Sequence, residues 1–328
     1  MKRWKITMDR QVLRLKFTQD CANFRREEMF ECKMTYALVP PSTVIGMIHN
    51  ACGYTEYVDM NVSIQARFHN INRIMKREIM EYNSKEKDRG ILVKFEGADF
   101  ARNHSGYKKI SEIFGQGHNL KNFRIDSAIK VYDEAELENF LRLKAIKKPS
   151  DAEKEELKKY SVMGVLITNF EELNDIEYVI HIDAEEDVLN NIMENVKNMM
   201  SLGRSEDFIF NKKAEFVKVS DKNSTDFSES FEESERDRNM IYIYKDAVKD
   251  GYVKSKTNSS LTTASIMYIA TVYNVKKKYE IINKKRVFDR HKVYNMSNIY
   301  LDNAEEYNEK HEKFILGKDE DGYIVNFI

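Results

Sequence analysis

Residues 35–53 read TYALVPPSTVIGMIHNACG, and the rest of the chain is laid out around them. Two of the three prolines in the chain, Pro40 and Pro41, sit here and hold the preceding residues extended. Ser42 follows with a hydroxyl able to accept a first-turn N–H, so the expectation is a helix capped by Ser42. Val44, Met47, Ile48 and Ala51 recur at helical spacing on one face, and Gly53 is placed to end the helix in a left-handed conformation. Gly46 interrupts the helix at a cost of about 1 kcal/mol relative to alanine. A close backbone approach is the expected reason, which makes Gly46→Leu a disruptive change, and simple core packing is the plainer account of the face as a whole.

Working outward, Gln11 to Phe17 alternates, with Leu13, Leu15 and Phe17 on one side and Val12, Arg14 and Lys16 on the other, the pattern of a half-buried strand. Asp20 to Lys33 has no sustained period and reads as a long loop. After the helix, Val62, Ile64, Ala66 and Phe68 alternate with Ser63, Gln65, Arg67 and His69, giving a second strand. A matching unit follows later: strand-like runs at Ser161–Thr168 and Ile176–Ile182, a helix and another strand at Asp207–Val219. That helix begins with a capping-box-like Asp183 and Glu186. It carries the stripe Val188, Leu189, Ile192, Met193, Val196, Met199 and Met200, and stops at Gly203. Methionines at this spacing read as core filling.

The order βαβ, insertion, βαβ is an α+β, ferredoxin-like plan, the one shared with RNA-recognition (RRM-like) modules. It assigns residues 1–220 to one domain with an insertion at about 70–160. Within the insertion Phe123, Ile125, Ser127, Ile129 and Val131 read as one strand. Leu137, Phe140 and Leu141 mark a helix, and Ser150 with Glu153 forms a capping box. Residues 221–240, Ser-rich with three basic against seven acidic side chains, read as an acidic loop. Residues 241–328 form an appended β-rich region, with strands at Ile266–Tyr273, Tyr279–Ile282 and Lys292–Tyr294.

Composition removes several classes of answer. At 328 residues, with 42% hydrophobic and 33% charged side chains, the chain suits a globular protein. The first residues, MKRWKITMDRQ, place charges where a secretory signal needs an apolar run, and Ile266–Val272 is too short to cross a bilayer. A cytoplasmic protein without a membrane span is the expectation. Cys21, Cys32 and Cys52 are odd in number and lack CxxC spacing, so neither a disulfide framework nor a zinc site is expected. The Walker loop, GxGxxG, HExxH and GxSxG are all missing, so no cofactor, metal or catalytic residue is assigned. Net charge is −1, yet residues 1–36 hold nine basic against five acidic side chains and residues 272–292 hold eight against two. Such segments permit an anionic partner.

Three stretches carry a resemblance: TYALVPPSTVIGMIHNACG, SLGRSED at 201–207, and ATVYNVKKKYEIINKKRVFDRHKV at 270–293. Together they resemble the fifth family of CRISPR-associated (Cas) proteins, a RAMP-superfamily group, in the variety found in type I-B systems. The terminal DGYIVNFI also resembles how members finish, whereas the middle is longer and more charged than the family pattern. The resemblance implies a subunit at one end of the Cascade surveillance complex. Such a subunit grips the 5′ repeat-derived tag of CRISPR RNA and packs on the repeated backbone subunit and the large subunit. Its expected fold is a ferredoxin-like module with a projecting insertion, the thumb.

Single-stranded RNA is held by cations on phosphates, by aromatic or arginine planes on bases, and by glycine loops that let the backbone come close. Arg25 and Arg26 beside Phe24 fit that chemistry and are equally readable as a solvated charge pair. Tyr36 and Ser42 flank the turn into the helix, whose N-terminus suits a phosphate; packing and capping account for them as well. FGQGHNLKNFR at 114–124 offers Gly115, Gly117, His118, Asn119 and Lys121 as a phosphate or base clamp, or as a plain surface loop. Gly203 and Arg204 resemble the glycine-rich turn that the superfamily places near RNA. Lys276, Lys277, Lys278, Lys284, Lys285 and Arg286 form a basic hairpin suited to a protein partner or to target DNA.

Two functions of different class follow. One is a non-catalytic RNA-binding and assembly subunit. The other is a metal-independent endoribonuclease for precursor CRISPR RNA, an activity known among the type I-C relatives. Cleavage of that kind needs an acid and a base aligned on the 2′-hydroxyl and the leaving oxygen. Tyr36 matches where a tyrosine of that kind lies, but no Lys-His pair occurs in the middle of the chain. His104 and His118 stand in loops, and Lys310 with His311 lies near the far end.

Overall fold

In the computed structural model the residues described are 9–27, 32–82, 91–95, 124–126, 129–131, 134–222, 238–256, 271–283 and 285–328. The chain forms two compact units, Met1–Ile74 with Glu171–Ile328, and Met75–Phe170. The pairing registers among the described residues are antiparallel.

The first unit is built from β1 (Asp9–Ala22), α1 (Pro41–Cys52) and β3 (Asn61–Arg67), with a short β2 (Cys32–Lys33) between them. The second set is β8 (Tyr160–Asp183, of which Glu171 onward belongs to this unit), α4 (Glu186–Asn195) and β9 (Ile209–Ser220). In the sheet these four strands lie in the order β3-β8-β1-β9. The order continues past β3 to β10 (Met240–Tyr244), β13 (Lys285–Met296) and β12 (Thr271–Ile282), and past β9 to β15 (Leu316–Asp319) and β16 (Ile324–Asn326).

Alternation decides which face each side chain takes. Leu13, Leu15 and Phe17 of β1 and Ile180 and Ile182 of β8 pack against Val44 and Ile48 of α1 and Leu189 and Ile192 of α4. Each such burial contributes about 1.5–3 kcal/mol. The opposite residues of β1 are covered too, because the C-terminal segment crosses that face. Val12 joins Val217, Val219, Phe314, Val325 and Phe327 in a second core, and Ile328 exchanges backbone hydrogen bonds with Val62 at 3.1 and 3.4 Å. Arg14, read as the polar side of a half-buried strand, is only 3% exposed. Its guanidinium reaches Asp319 at 2.5 Å, and His181 Nε2 lies 2.9 Å from the same Asp319 carboxylate.

Several expectations are corrected. α1 starts at Pro41, with Pro40 as an extended N-cap at φ −66° and no side-chain cap, so Ser42 is already inside the helix and does not cap it. Proline at the first helical position lacks the N–H that a cap would satisfy. Gly53 does end the helix, at φ +71°. Gly46 is exposed, and a Cβ built on it meets nothing within 4 Å among the described residues, so the expected close approach is not found. β1 runs on to Ala22, through residues read as loop, because its backbone stays paired with β8 as far as Ala22, beyond its last pair with β9 at Gln19. The two runs read around 161–168 and 176–182 are one continuous strand, β8.

α4 starts after Glu185 without a side-chain cap, so Asp183 and Glu186 do not form the expected box. It ends at Asn195 and passes into a 3₁₀ turn, Val196–Asn198, which leaves Met199 buried but Met200 60% exposed. Gly203 therefore lies beyond the helix, in a turn at φ +102°.

A β-ribbon, β11 (Val253–Ser255) with β14 (Ile299–Leu301), and the helices α5 (Lys245–Lys249) and α6 (Ala304–His311) surround a further core of Ile241, Ile243, Val253, Met296 and Tyr307. In the second unit β5 (Ile91–Phe95) pairs with β7 (Ile129–Val131), which pairs with β6 (Arg124–Asp126). The single strand expected over 123–131 is thus two strands that pair with each other. Helices α2 (Glu134–Ala145) and α3 (Asp151–Lys158) complete the described part of this unit. Ser150 and Glu153 form the expected capping box, and Phe140, Leu143, Leu92, Tyr160 and Val162 make the core.

Candidate nucleic-acid interface

The segment after β1, residues 23–27, lacks apolar spacing and is shaped instead by hydrogen bonds. Asn23 Nδ2 donates to the carbonyls of Lys33 at 2.9 Å and Glu171 at 2.7 Å. Phe24 N–H donates to Thr35 Oγ1 at 2.9 Å, Tyr36 N–H to the Phe24 carbonyl at 2.8 Å, and Arg26 N–H to the Met34 carbonyl at 2.9 Å. The segment therefore runs beside the residues leading into α1.

This arrangement brings distant candidates together. Phe24 is buried under the Gly203 turn, where a Cβ on Gly203 would stand 3.1 Å from its ring. The Arg26 guanidinium lies over the Tyr273 ring at 5.6 Å, and Tyr273 meets Tyr36 edge-on at 5.0 Å. Glu27 pairs with Lys276 and, at 2.9 Å, with Arg290. Arg25 is exposed beside them and forms a β-bridge with Thr35. The two arginines, Tyr36, Gly203 and Lys276 thus gather around five consecutive residues. Tyr273 is itself only 7% exposed and lies under Arg26, so what this cluster offers a strand is arginine cations and a guanidinium plane rather than an open aromatic face.

Other candidates are committed elsewhere. Arg204 is bound by Asp207 at 2.6 Å, Glu172 at 3.1 Å and Glu206 at 3.5 Å, and the hydrogen bonds it donates to Asp207 above all raise its pKa despite burial. Tyr36 is 7% exposed and belongs to the core between α1 and β12, which is a packing position. Ser42 is half-buried in the first turn of α1. Gly115, Gly117, His118, Asn119, Lys121 and His104 lie outside the described residues, as does Lys284.

The basic hairpin is β12–β13. Its register slips between Lys276 and Tyr279, and the Asp289 carboxylate accepts the backbone N–H groups of Lys277 at 3.3 Å and Lys278 at 2.7 Å. This bulge turns Lys277 inward, where its amine donates to Asn61 Oδ1 at 2.6 Å, and burial lowers its pKa. Lys278 points out over the Tyr57 ring at 5.4 Å, and Arg286 stacks on Tyr279 at 4.6 Å. Six basic residues read as one patch therefore divide by position along the hairpin.

Acid–base groups are present in other places. Tyr244 Oη lies 3.4 Å from His291 Nδ1, and His291 Nε2 lies 3.1 Å from Asp289. Burial, then Asp246, pushes Tyr244 up to about 12, which suits it poorly to proton transfer near neutral pH. Lys310 pairs with Asp250 at 2.7 Å and His311 with Asp246 at 3.3 Å, both on α6. Among the described residues no group of His, Cys, Asp and Glu could hold a metal ion, and no helix is long and apolar enough to cross a membrane.

Comparison with known families now bears on this geometry. A family model described as CRISPR-associated protein (Cas_Cas5) matches residues 12–282. The chain belongs to that family. Two solved structures are similar in trace. One, described as a CRISPR RNA-guided surveillance complex, matches at a TM-score of 0.39 and 10% identity, covering 88% of this chain and 91% of the other. The second, a type III-B Cmr-beta complex bound to cognate target RNA and AMPPnP, matches at a TM-score of 0.31 and 12% identity, covering 93% and 96%. No curated protein is matched by sequence.

The family expected from the three quoted stretches is therefore borne out. In this Cas_Cas5 protein the matched region begins in β1 and ends on the last residue of β12, so it takes in residues 23–27, the Gly203 turn and Tyr273. Sequence reading missed Glu27 and Tyr273. Tyr273 carried a faint signal, since it and Val275 alternate as buried positions of β12, whereas Glu27 carried none.

Proposed function

We propose that this Cas_Cas5 protein is a non-catalytic, RNA-binding subunit of a cytoplasmic type I CRISPR Cascade complex of the I-B variety. In this reading it grips the 5′ repeat-derived tag of CRISPR RNA, caps the backbone subunit and meets the large subunit, without a cofactor. The observation that carries the reading is the gathering of Arg25, Arg26, Tyr273 and the Gly203 turn around residues 23–27. Strand order β3-β8-β1-β9, with α1 and α4 on one face, supports a ferredoxin-like module, and the insertion at 70–160 takes the role of thumb. The clamp at Gly115, Gly117, His118, Asn119 and Lys121 belongs to the same proposal, as do residues 221–240 as an acidic connection and 241–328 as an appended region.

The test is binding of a tagged CRISPR RNA to the Arg25→Ala/Arg26→Ala protein over a salt series. Each lost phosphate contact removes about 0.7 from the log–log salt slope for a single strand. An unchanged slope and affinity would return the pair to the solvated surface and remove the reading's support. Assembly of the complex is measured separately, because loss of the subunit imitates weak RNA binding.

A further inference from the structure

The outer half of the β12–β13 hairpin takes no part in the interface around residues 23–27. Ile282 pairs with Lys285 across a two-residue connection, and Asn283 takes φ +51°, a left-handed value that asparagine tolerates. Below that turn Ile281 opposes Arg286, Glu280 opposes Val287 and Tyr279 opposes Phe288. Side chains alternate along each strand, so Ile281 lies on one face and Ile282 and Val287 on the other. They are 72%, 50% and 49% exposed. Both faces of the tip thus present branched aliphatic groups to solvent, on a two-stranded element that is marginal in water without further packing.

The cations divide along the same line. At the base Lys276 and Arg290 are paired with Glu27, and Lys277 is turned in to Asn61. At the tip Lys278, Lys285 and Arg286 are exposed, and Glu280 is the acidic side chain among the described tip residues. Phosphate binding would use the cations but gives the aliphatic groups nothing to do, since they have no planar face to stack on a base. An apolar centre rimmed by cations is the arrangement of a protein interface, with complementary charge setting orientation and encounter rate.

We propose that the hairpin tip, residues 278–283 and 285–287, is a docking finger for a second protein subunit of the same complex. The receiving surface is an apolar cleft edged by carboxylates. Ile281, Ile282 and Val287 fill the cleft, and Lys278, Lys285 and Arg286 meet its rim. The idea rests on the subunit reading above, but its readout is subunit retention rather than RNA affinity, so the two fail separately.

The experiment co-expresses the full chain, carrying an affinity tag, with the other proteins encoded at its CRISPR locus, and quantifies each co-purifying subunit. Ile281→Ser/Ile282→Ser/Val287→Ser is expected to lose one subunit by roughly tenfold or more, the scale of truncating buried interface anchors. Affinity of the isolated chain for tagged RNA and its melting temperature stay unchanged. Lys285→Glu/Arg286→Glu is expected to lose the same subunit. Should the triple variant melt lower, Val287→Ser alone supplies the readout. Full retention of every subunit by these variants overturns the proposal. So does a loss of single- or double-stranded oligonucleotide binding by the serine variant with assembly intact, which would make the tip a nucleic-acid contact.

Discussion

Removal of one carboxylate, by Asp319→Ala, should unfasten the C-terminal segment from the sheet. Asp319 Oδ2 takes the Arg14 guanidinium at 2.5 Å and His181 Nε2 at 2.9 Å, and its Oδ1 accepts the N–H groups of Asp321 at 3.1 Å and Tyr323 at 2.8 Å. The side chains of Asp319 and His181 are 0% exposed and that of Arg14 3%. Breaking a buried ion pair by removing one partner costs about 3–5 kcal/mol, because the other charge stays buried. Arg14 keeps two further partners, Glu215 at 2.7 Å and Asp321 at 2.5 Å, but these are half exposed. The lower end of that range is therefore expected. At about 2–4 °C per kcal/mol for a domain of this order, the melting temperature should fall by roughly 6–12 °C. Asp321→Ala is the control, and as an exposed pair it should cost about 1 kcal/mol or less. If the two variants melt within a degree or so of each other, the buried network does not hold the segment.

The same network fixes a pH dependence. His181 is held below its ordinary 6.5, by burial first, although Asp319 pulls the other way. Its Nδ1 has no hydrogen-bond partner, so a proton there would be a buried unsatisfied donor, and the neutral form with Nε2–H donating to Asp319 is the one that fits. Burial alone would raise Asp319, but hydrogen bonds from His181, Arg14 and the Tyr323 N–H outweigh it and leave the carboxylate below its ordinary 3.8. In both cases the unfolded chain binds the proton more readily. Stability is therefore present above the unfolded pKa of each group and is lost on acidification. His181's share goes as pH falls below about 6.5, and Asp319's as pH falls below about 4. Melting scans from about pH 8 down to about pH 3 should decline in those two windows, and Asp319→Ala should flatten the lower one.

Three further outcomes are expected. Gly46→Ala should raise stability by about 0.4–1 kcal/mol, seen as a higher melting temperature, because the site is open and the alanine reduces unfolded-state freedom; a loss would restore the idea of a close approach. Gly203→Ala should cost roughly 1–3 kcal/mol, since it must take φ +102° and crowd Phe24 at 3.1 Å, and it should weaken RNA binding together with stability. Purified protein incubated in chelator with its precursor repeat RNA should leave the RNA intact. A single cut at the repeat that vanishes in Tyr36→Phe or His118→Ala would replace the binding-subunit reading with a nuclease.

How far the sequence could be read depended on whether a feature is local. The α1 face, the Gly53 stop and the Ser150 box each follow from residues within a few positions, and the structure holds all of them. By contrast β1 and β3 form as strands but are buried on both faces, with Arg14 3%, Ser63 0% and Gln65 4% exposed, and β3 stops at Arg67. The failures share a cause. Arg14 looked like the wet side of a strand because its cover, Asp319 and Tyr323, comes from about three hundred residues away. Gly46 looked like a contact because a glycine in a helix asks for a reason, and none of the described residues supplies one. Six lysines and arginines looked like one patch because spacing along a hairpin does not reveal a bulge that turns Lys277 inward and Lys278 outward.

The candidate interface shows the same division. Arg25 and Arg26 were legible from chemistry, since an arginine pair next to an aromatic residue is a recognisable RNA-binding composition. What positions the pair is Glu27, which ties the loop to Lys276 and Arg290, and Tyr273, which lies under the Arg26 guanidinium. Neither is visible in sequence as functional, because a glutamate in a basic interface reads as an error in sign. Its position gives the opposite meaning. By pairing with two cations at the hairpin base, Glu27 separates the Arg25–Arg26 segment from the exposed Lys278, Lys285 and Arg286 of the hairpin tip. Under the functions proposed above, that separation keeps an RNA contact and a protein contact from merging into a single unselective patch.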